Sequence, residues 1–291
     1  MSDQEEPVAT TAKDANAGGT QAIARATRIL RLIARRGTEG ARLTQLTRLS
    51  GFPHPTIRRI LKCLIDEGLV VQDSGTKHYR LGPLNFELGL ATLREANSEQ
   101  AYHAMLVNLA HMSGDTVYLM ARSGADIVCL DRAEGSFPVR AHLFSVGGRR
   151  PLGFGAAGLA LLSSLDDSVI ERIVSINAHE IEIHPRLTLD YLWTAIGRTR
   201  ERGYAVTSDI YTMGIGSVGV VIPNGDQEPV YALNLSTVGA DRFTPGRVTE
   251  LHRLMATQIA AVSDVRTILT DEMEWDFLKD RHTIGRDRDS H

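Results

Sequence analysis

The chain has 291 residues, of which 43% are apolar, 5% aromatic and 23% charged, and this length suffices for one or two domains. Its 26 glycines and 10 prolines follow no period of three, which excludes collagen and low-complexity chains. The uncharged stretches 151–165 and 210–225 contain glycines and are shorter than the ~18–20 residues that span a bilayer. The first residues, MSDQEE, are acidic where a secretory signal is basic. We therefore expect a soluble, cytoplasmic protein that does not contact a membrane.

Composition and spacing also argue against a metal site or an enzyme. Cys63 and Cys129 cannot form a disulfide framework, and neither belongs to a CxxC pair. The segment NAHEIEIHP, residues 177–185, lacks the spacing of a metal-binding helix. Ser217 only half-matches a GxSxG nucleophile elbow, because Ile215 stands where the first glycine should be. We expect no metal, no cofactor and no catalytic residues.

Charge is distributed unevenly along the chain. Residues 21–82 contain 12 Lys and Arg against 4 Asp and Glu, whereas residues 83–291 contain 19 against 27. A compact basic segment attached to a larger acidic one indicates two domains, the smaller of which meets a polyanion. The alternative is an uneven surface without functional meaning.

The basic segment has the pattern of a winged helix-turn-helix. Residues 1–20 lack a periodic apolar stripe and are predicted to form a disordered tail. Apolar residues at helical spacing then predict three helices, one over 23–33, a short one from Thr44 to Gly51, and one that begins near Pro55 and ends before Gly68. Two short strand-like runs joined by DSGT follow, and this order of elements predicts a winged helix-turn-helix over 21–82.

The third helix has the side chains of a recognition helix. A three-helix core unrelated to nucleic acid could share its apolar face, but it would not need short polar and long cationic groups on the exposed face. We predict DNA contacts from the second helix, the turn, the third helix and the wing, at Thr44, His54, Thr56, Arg58, Arg59, Lys62, Lys77 and Arg80.

A linker helix and a larger α+β domain are predicted after the wing. The linker, residues 83–98, has two apolar stripes, a first with Leu84, Leu88 and Ala91 and a second with Phe86, Leu90 and Leu93. Two stripes favour packing against a second subunit; the alternative is a helix that lies on its own domain. Residues 99–270 are predicted to form an α+β domain with an antiparallel sheet, and residues 271–291 a charged tail. In the α+β domain, helices are predicted near 99–112, 153–165, 169–176, 189–202 and 244–270. Strands are predicted at 116–121, 127–131, 138–144, 204–208, 217–222 and 230–236.

Six sequence segments are similar to segments of a known protein family. In chain order they are FPHPTIRRILKCLIDEGLV, YRLGPLNFELG, GDTVYLMARSG, VGGRRPLGFGAAGLALL, RTRERGYAV and MGIGSVGVVIPN. With these blocks the chain resembles IclR-type transcriptional regulators over about residues 21–270. The resemblance implies an N-terminal winged helix, a linker that helps dimerise, a C-terminal GAF-like domain that binds a small effector, and dimers or tetramers on palindromic double-stranded operator DNA. The alternative function is a GAF-like ligand-binding enzyme or sensor whose helix-turn-helix serves protein contacts; steep salt dependence of DNA binding separates the two.

The same resemblance places an effector site at the start of a helix. Gly155, Ala156 and Ala157 match the family's effector-contacting backbone, and a helix start lined by small residues suits a carboxylate. The sequence GFG at 153–155 stands where the family commonly has polar residues. This difference indicates either a roomier, more apolar pocket or glycines that make a tight turn easier to form. The predicted effector is a small organic acid, with an aromatic acid as one option. Further candidates are Arg140 and His142 on one strand face, Thr207, Asp209, Ser217, Asn234 and Ser236. For each of them alone a structural or surface role is the better explanation, and only the set as a whole favours a site.

Overall fold

The computed structural model describes residues 12–92, 97–225 and 227–266. Its α-helices are α1 (Ala12–Ala34), α2 (Leu43–Ser50), α3 (His54–Asp66), α4 (Pro83–Thr92), α5 (Asn97–Ser113), α6 (Gly155–Ser163), α7 (Asp167–Glu182), α8 (Leu189–Arg202) and α9 (Pro245–Arg266). Its strands are β1 (Val70–Gln72), β2 (Tyr79–Leu81), β3 (Thr116–Ser123), β4 (Asp126–Ala133), β5 (Arg149–Pro151), β6 (Ala205–Ser208), β7 (Ile215–Asn224) and β8 (Gln227–Val238). A short 3-10 turn, Gly37–Glu39, separates α1 from α2.

The first three helices and the β1–β2 hairpin form a winged helix around one small core. Ile29 and Ile33 of α1, Leu46 of α2 and Ile57 of α3 are fully buried there. Gly51 ends α2 in the left-handed region, and its N–H donates to the Thr47 carbonyl. The apolar spacing predicted the buried positions of α2 and α3 correctly. On α1 it placed Ile23 on the apolar face, which is 70% exposed, and it omitted Ile29, which is fully buried.

Two predicted boundaries near the winged helix differ from the structure. Helix α1 begins at Ala12, so residues 12–20 belong to a helix rather than to a tail; the alanines in this stretch favour helix. Residues 1–11 lie outside the described part. The predicted linker, 83–98, contains α4 and the first residues of α5, and positions 93–96 between them are not described.

The C-terminal domain is built on a six-stranded antiparallel sheet with the strand order β5-β4-β3-β8-β7-β6. Helices α5 and α9 pack with Val117, Leu119 and Leu233 on one face of the sheet. Helices α6, α7 and α8 pack with Tyr118 and Ala232 on the other face. This alternation along the strands is the two-residue period expected of a sheet that is buried on both sides. The predicted α+β class with an antiparallel sheet is thereby confirmed.

The predicted strand over 138–144 is not formed. The Tyr118 hydroxyl donates to the Ala141 carbonyl and accepts from the Leu143 N–H at 3.1 Å, so a side chain takes the backbone groups that a strand would use. The edge strand is β5 instead, which pairs with 126–128 of β4.

A buried ionic cluster joins the ends of the sheet to α9. The Asp115 side chain is 2% exposed and contacts Arg242 at 2.9 Å and Arg247 at 3.0 Å. The Thr237 hydroxyl donates to the same carboxylate at 2.8 Å. A buried carboxylate needs such partners, because an unpaired buried charge is strongly unfavourable. Within the described residues, no helix is both long and apolar enough to cross a membrane.

Candidate DNA interface and effector site

The exposed face of α3 carries most of the predicted DNA contacts. Ile57, Leu61 and Leu64 point into the core, and the pitch of the helix therefore turns the residues between them outward. The side chains that lie exposed on this face are His54, Arg58, Arg59 and Lys62, with Thr56 half-buried beside them. The cationic and polar groups thus share one accessible surface, as sequence reasoning expected.

A groove of about 580 Å³ connects α3 with the start of α2 and with the wing. Three predicted residues, Thr44, Arg58 and Lys77, line it. Sequence reasoning missed Arg42 and Gln72, which also line it. Arg42 immediately precedes α2, so it lies beside free backbone N–H groups and the positive end of the helix. An arginine directly before a predicted helix start was the available signal in the sequence.

Polar contacts orient two arginines beside this groove, Arg42 and Arg80. His78 connects the two rims of the groove, since its Nδ1 contacts the Glu39 carbonyl at 2.8 Å and its Nε2 lies 2.9 Å from Arg42 Nε, which donates to it. Arg80 forms an ion pair with Asp73 at 2.6 Å. Hydrogen bonds from Thr76 are the main cause of a lowered pKa at Asp73, which remains an anion in the wing turn. Arg80 therefore holds the wing turn, and His78 orients Arg42 through its Nε. Both Arg42 and Lys77 line the groove.

The polar effector candidates of the sheet lie beside one another. Thr207, Ser217 and Ser236 are register partners across β6, β7 and β8. Asn234 lies two residues before Ser236 on the same strand face, opposite Gly219. All four polar residues are buried beneath the start of α6. The topology therefore brings together residues from three strands that sequence reasoning selected one by one.

A chain of hydrogen bonds links these groups to the first turn of α6. Ser217 and Ser236 share a hydroxyl hydrogen bond of 2.8 Å, and Asn234 Nδ2 donates to the Ser236 hydroxyl at 2.8 Å. Asn234 Oδ1 accepts the Ala157 N–H at 3.2 Å. One amide oxygen thus satisfies a free donor at the helix start, which is the role that a carboxylate oxygen plays at such positions.

Close approach of α6 to β7 requires a glycine at 219. A Cβ at this position would lie 2.2 Å from the Ala156 carbonyl group and 2.5 Å from the Ala157 nitrogen. Gly153 and Gly155 have φ values of 102° and 73°, which L side chains rarely adopt. The glycines of GFG therefore serve a tight backbone turn into α6, one of the two explanations left open above.

Three further effector candidates are not part of this buried cluster. Arg140 and His142 are exposed and belong to a loop rather than to a strand face. Arg140 contacts Glu134 at 2.9 Å, and His142 Nδ1 contacts Arg132 at 3.0 Å. Asp209 follows β6 with a φ of 60° and accepts the Gly214 N–H at 2.7 Å, the main cause of its lowered pKa. It thus organises the loop between β6 and β7.

An aromatic trio beside the start of α6 was missed by sequence reasoning. Phe154 lies 5.4 Å from Tyr211 and 5.6 Å from His184 between ring centroids. The Tyr211 hydroxyl donates to the Gly153 carbonyl at 2.7 Å, and burial raises the pKa of its phenol. Burial also lowers the pKa of His184, which favours the neutral imidazole. The three residues come from separate segments of the chain, so no local sequence pattern could predict that they meet.

The fold and these two sites define a winged-helix transcriptional regulator with a C-terminal α+β domain. Family models agree with this class. Residues 22–74 match the IclR helix-turn-helix domain, and residues 90–264 match the C-terminal domain of bacterial transcriptional regulator IclR. The chain belongs to the IclR family of transcriptional regulators, whose matched members are regulators rather than enzymes.

Several relatives and solved structures are similar to the chain. The transcriptional repressor IclR of Escherichia coli is 27% identical over 80% of this chain and 85% of its own length. The probable transcriptional regulator SauR of Cupriavidus necator is 32% identical over 69% of this chain and 79% of its own length. A crystal structure of an IclR family regulator from Brucella abortus matches with a TM-score of 0.68 at 21% identity, covering 90% of this chain and 96% of that one. An IclR regulator structure from Alicyclobacillus acidocaldarius gives 0.64 at 24% identity, with coverages of 84% and 98%.

Proposed function

We propose that this regulator binds operator DNA through α3 and the groove between α2 and the wing, under the control of a small organic acid bound at the start of α6. The proposed division is a DNA-binding domain up to residue 82, a linker over 83–98 and an effector-binding domain over 99–270; the charged tail predicted for 271–291 lies outside the described residues. Because it acts on operator DNA in a bacterial cell, the location we propose is the cytoplasm.

The DNA interface rests on one observation, the meeting of three DNA-facing elements at a cationic groove. Arg58, Arg42 and Lys77 reach it from α3, from the start of α2 and from the wing. Arginine reads guanine edges in the major groove of DNA, and cations beside a helix start bind phosphates. We assign Arg58 and Arg59 to the bases or phosphates that face α3, and Arg42 and Lys77 to the flanking backbone.

Fluorescence anisotropy with a duplex enriched by the protein from a random library tests this interface. Arg58→Ala should weaken binding by about 1–3 kcal/mol, or roughly 5- to 150-fold, if a bidentate base contact is lost. Arg172→Ala, an exposed arginine of α7, is the matched control and should bind as the parent does. Affinity should also fall steeply with salt. Parent-like affinity in both Arg58→Ala and Arg59→Ala would refute the assignment.

The effector site is proposed from the hydrogen bond between Asn234 and Ala157. An amide oxygen already occupies a position at the start of α6 where the helix dipole favours a negative charge. An acid that reaches this turn can place its carboxylate near the N–H groups of Gly155, Ala156 and Ala157. Thr207, Ser217 and Ser236 then offer hydroxyl groups from the sheet below.

The aromatic trio supports an aromatic acid over a purely aliphatic one. Phe154, His184 and Tyr211 lie at the entrance to α6 with centroid separations of 5.4 to 5.6 Å. Aromatic rings at such distances pack in tilted or edge-to-face arrangements, and an added ring can join them. We therefore assign the carboxylate of the effector to the α6 start and its ring to the trio.

A thermal-shift screen with matched pairs tests the ligand class. Each acid, for example benzoate, is compared with its uncharged amide, benzamide. At about 100 times its dissociation constant a true effector should stabilise by about 2.7 kcal/mol, which corresponds to roughly 5–10 °C for a domain of this size. Shifts that do not distinguish acids from amides would contradict the proposed carboxylate site.

Asn234→Asp then tests the position of the site with the confirmed effector in calorimetry. The new carboxylate keeps the shape and suits the helix start, but it repels a bound acid, so affinity should fall by about 10-fold or more. Ser164→Ala, at the far end of α6, is the control and should keep the parent affinity. Unchanged binding by Asn234→Asp would place the effector elsewhere.

Self-association through the linker is the third element of the proposal. Phe86 and Leu88 of α4 are 70% and 56% exposed in the single chain. Apolar side chains this exposed on one helix favour burial against another surface. The side chains of Leu90 and Leu93, which belong to the predicted second stripe, lie outside the described residues. We propose that α4 pairs with a second copy in the dimer or tetramer.

A further inference from the structure

A polar contact connects the DNA-binding domain to the effector-binding domain. Arg35, one residue beyond α1, donates from Nη2 to Asp126 Oδ1 and from Nε to Asp126 Oδ2 at 3.3 Å. The same guanidinium lies 3.4 Å from Asn177 Oδ1 of α7. Asn177 in turn donates to the Ala125 carbonyl at 2.7 Å. Arg35 therefore contacts two elements of the effector-binding domain, β4 through Asp126 and α7 through Asn177.

Asp126 binds a second arginine from within its own domain. Arg149 of β5 donates to Asp126 Oδ2 from Nε and from Nη2, both at 3.3 Å, and to the Ser123 hydroxyl at 2.9 Å. The Asp126 side chain is 5% exposed, against 21% for Arg35 and 14% for Arg149. If Arg35 leaves, Arg149 still neutralises the buried carboxylate. Because an unpaired buried charge is the main cost of breaking such a pair, this arrangement lets Arg35 dissociate and return.

The strand that carries Arg149 leads directly to the start of α6. Pro151 of β5 is the register partner of Asp126, and the Leu152 N–H donates to the Ala125 carbonyl at 2.8 Å. Gly153 follows and accepts the Tyr211 hydroxyl. A displacement of residues 153–155 is thus passed to the strand pair that holds Asp126.

On the other side, Arg35 is continuous with the core that orients α3. Leu32 and Ile33, just before it, are buried against the same core as Ile57 and Leu61 of the recognition helix. Close-packed cores move as units. The position of Arg35 on Asp126 therefore sets the orientation of α3 relative to the effector domain.

We propose that the Arg35–Asp126 pair is a releasable latch between the two domains, which holds the DNA-binding domain in its DNA-competent orientation and transmits events at the start of α6 to it. The latch is a feature of the chain by itself; its use as a signal rests on the proposed function. It requires only that two discrete arrangements, docked and released, differ in their interaction with DNA.

Distances between spin labels test the latch without effector or DNA. Cys63 on α3 is exposed, whereas burial raises the pKa of the Cys129 thiol to about 12, so Cys63 is the reactive one. Thr194→Cys, at an exposed position of α8, supplies the second label, and labelled chains are diluted with unlabelled protein. Arg35→Gln should broaden the distance distribution at least about twofold. Arg36→Gln removes a positive charge at the next residue and should leave the distance distribution unchanged.

A second variant and a DNA arm complete the test. Asp126→Asn keeps the side-chain shape and should broaden the distribution as Arg35→Gln does. In anisotropy with the library-enriched duplex, unlabelled Arg35→Gln should bind at least about fivefold more weakly than Arg36→Gln, because a released domain must be ordered on binding. Parent-like distributions in both latch variants overturn the latch, and broadening without loss of affinity overturns its role in DNA binding. A parent chain that binds no duplex refutes the proposed function instead, and the label distances still decide on the latch.

Discussion

Gly219→Ala is expected to disturb the contact between β7 and α6 more than its single added methyl group suggests. The new Cβ would lie 2.2 Å from the Ala156 carbonyl group, whereas ordinary contact begins near 3.4 Å. Helix α6 must therefore retreat by about 1 Å, and overpacking of this kind typically costs about 1–3 kcal/mol. The shift also lengthens the 3.2 Å bond between Asn234 and Ala157, which adds about 1 kcal/mol. The expected loss is about 2–4 kcal/mol.

Urea unfolding followed by circular dichroism and by tryptophan fluorescence, to which Trp193 on α8 contributes, measures this loss. Gly197→Ala, also in the C-terminal domain, is the matched control, because its Cβ meets nothing within 4 Å and alanine favours the helix by about 0.5–1 kcal/mol. The two Gly→Ala changes should therefore shift stability in opposite directions. A Gly219→Ala protein as stable as the parent would refute the close contact.

Three further outcomes are expected. Leu88→Glu should yield a smaller assembly by light scattering, because a charge replaces an apolar contact, while Glu87→Gln on the same helix should not; equal masses for both would contradict an α4 interface. Asp115→Ala should lower the free energy of unfolding by about 3 kcal/mol in urea, since two arginines lose their buried carboxylate, and an unchanged midpoint would contradict this. At pH 8, well below the pKa of about 12 that burial imposes on Cys129, a thiol reagent should modify Cys63 alone until the chain unfolds; two fast thiols would contradict this.

The order of three helices and a hairpin in the winged helix could be predicted because its signals are local. The apolar period of α3, Pro55 in its first turn and the DSGT turn each act over a few residues. The strand predicted at 138–144 failed for the opposite reason. Its backbone groups bond to Tyr118, a residue of another strand, and no periodicity within the segment reveals that competition.

In the candidate sites, too, local features could be predicted from the sequence and contacts between distant segments could not. The small residues of α6 and the alternating polar residues of β8 were visible in the sequence, whereas the meeting of Phe154, His184 and Tyr211 depends on how three segments fold together. Arg140 lies on a loop beside Glu134 because the predicted strand is absent. Register, rather than composition, decided which polar groups became neighbours.

The order of strands in the sheet has a consequence for the nascent chain. Strand β8 lies between β3 and β7, so it joins the half formed by β3, β4 and β5 to the half formed by β6 and β7. Among the described strands it is also the last to be synthesised, roughly 100 residues after β3, which corresponds to about 5–20 s of translation. The N-terminal winged helix has its own core and can fold well before then. On the ribosome, the winged helix can therefore already be folded during an interval in which the C-terminal sheet is still incomplete.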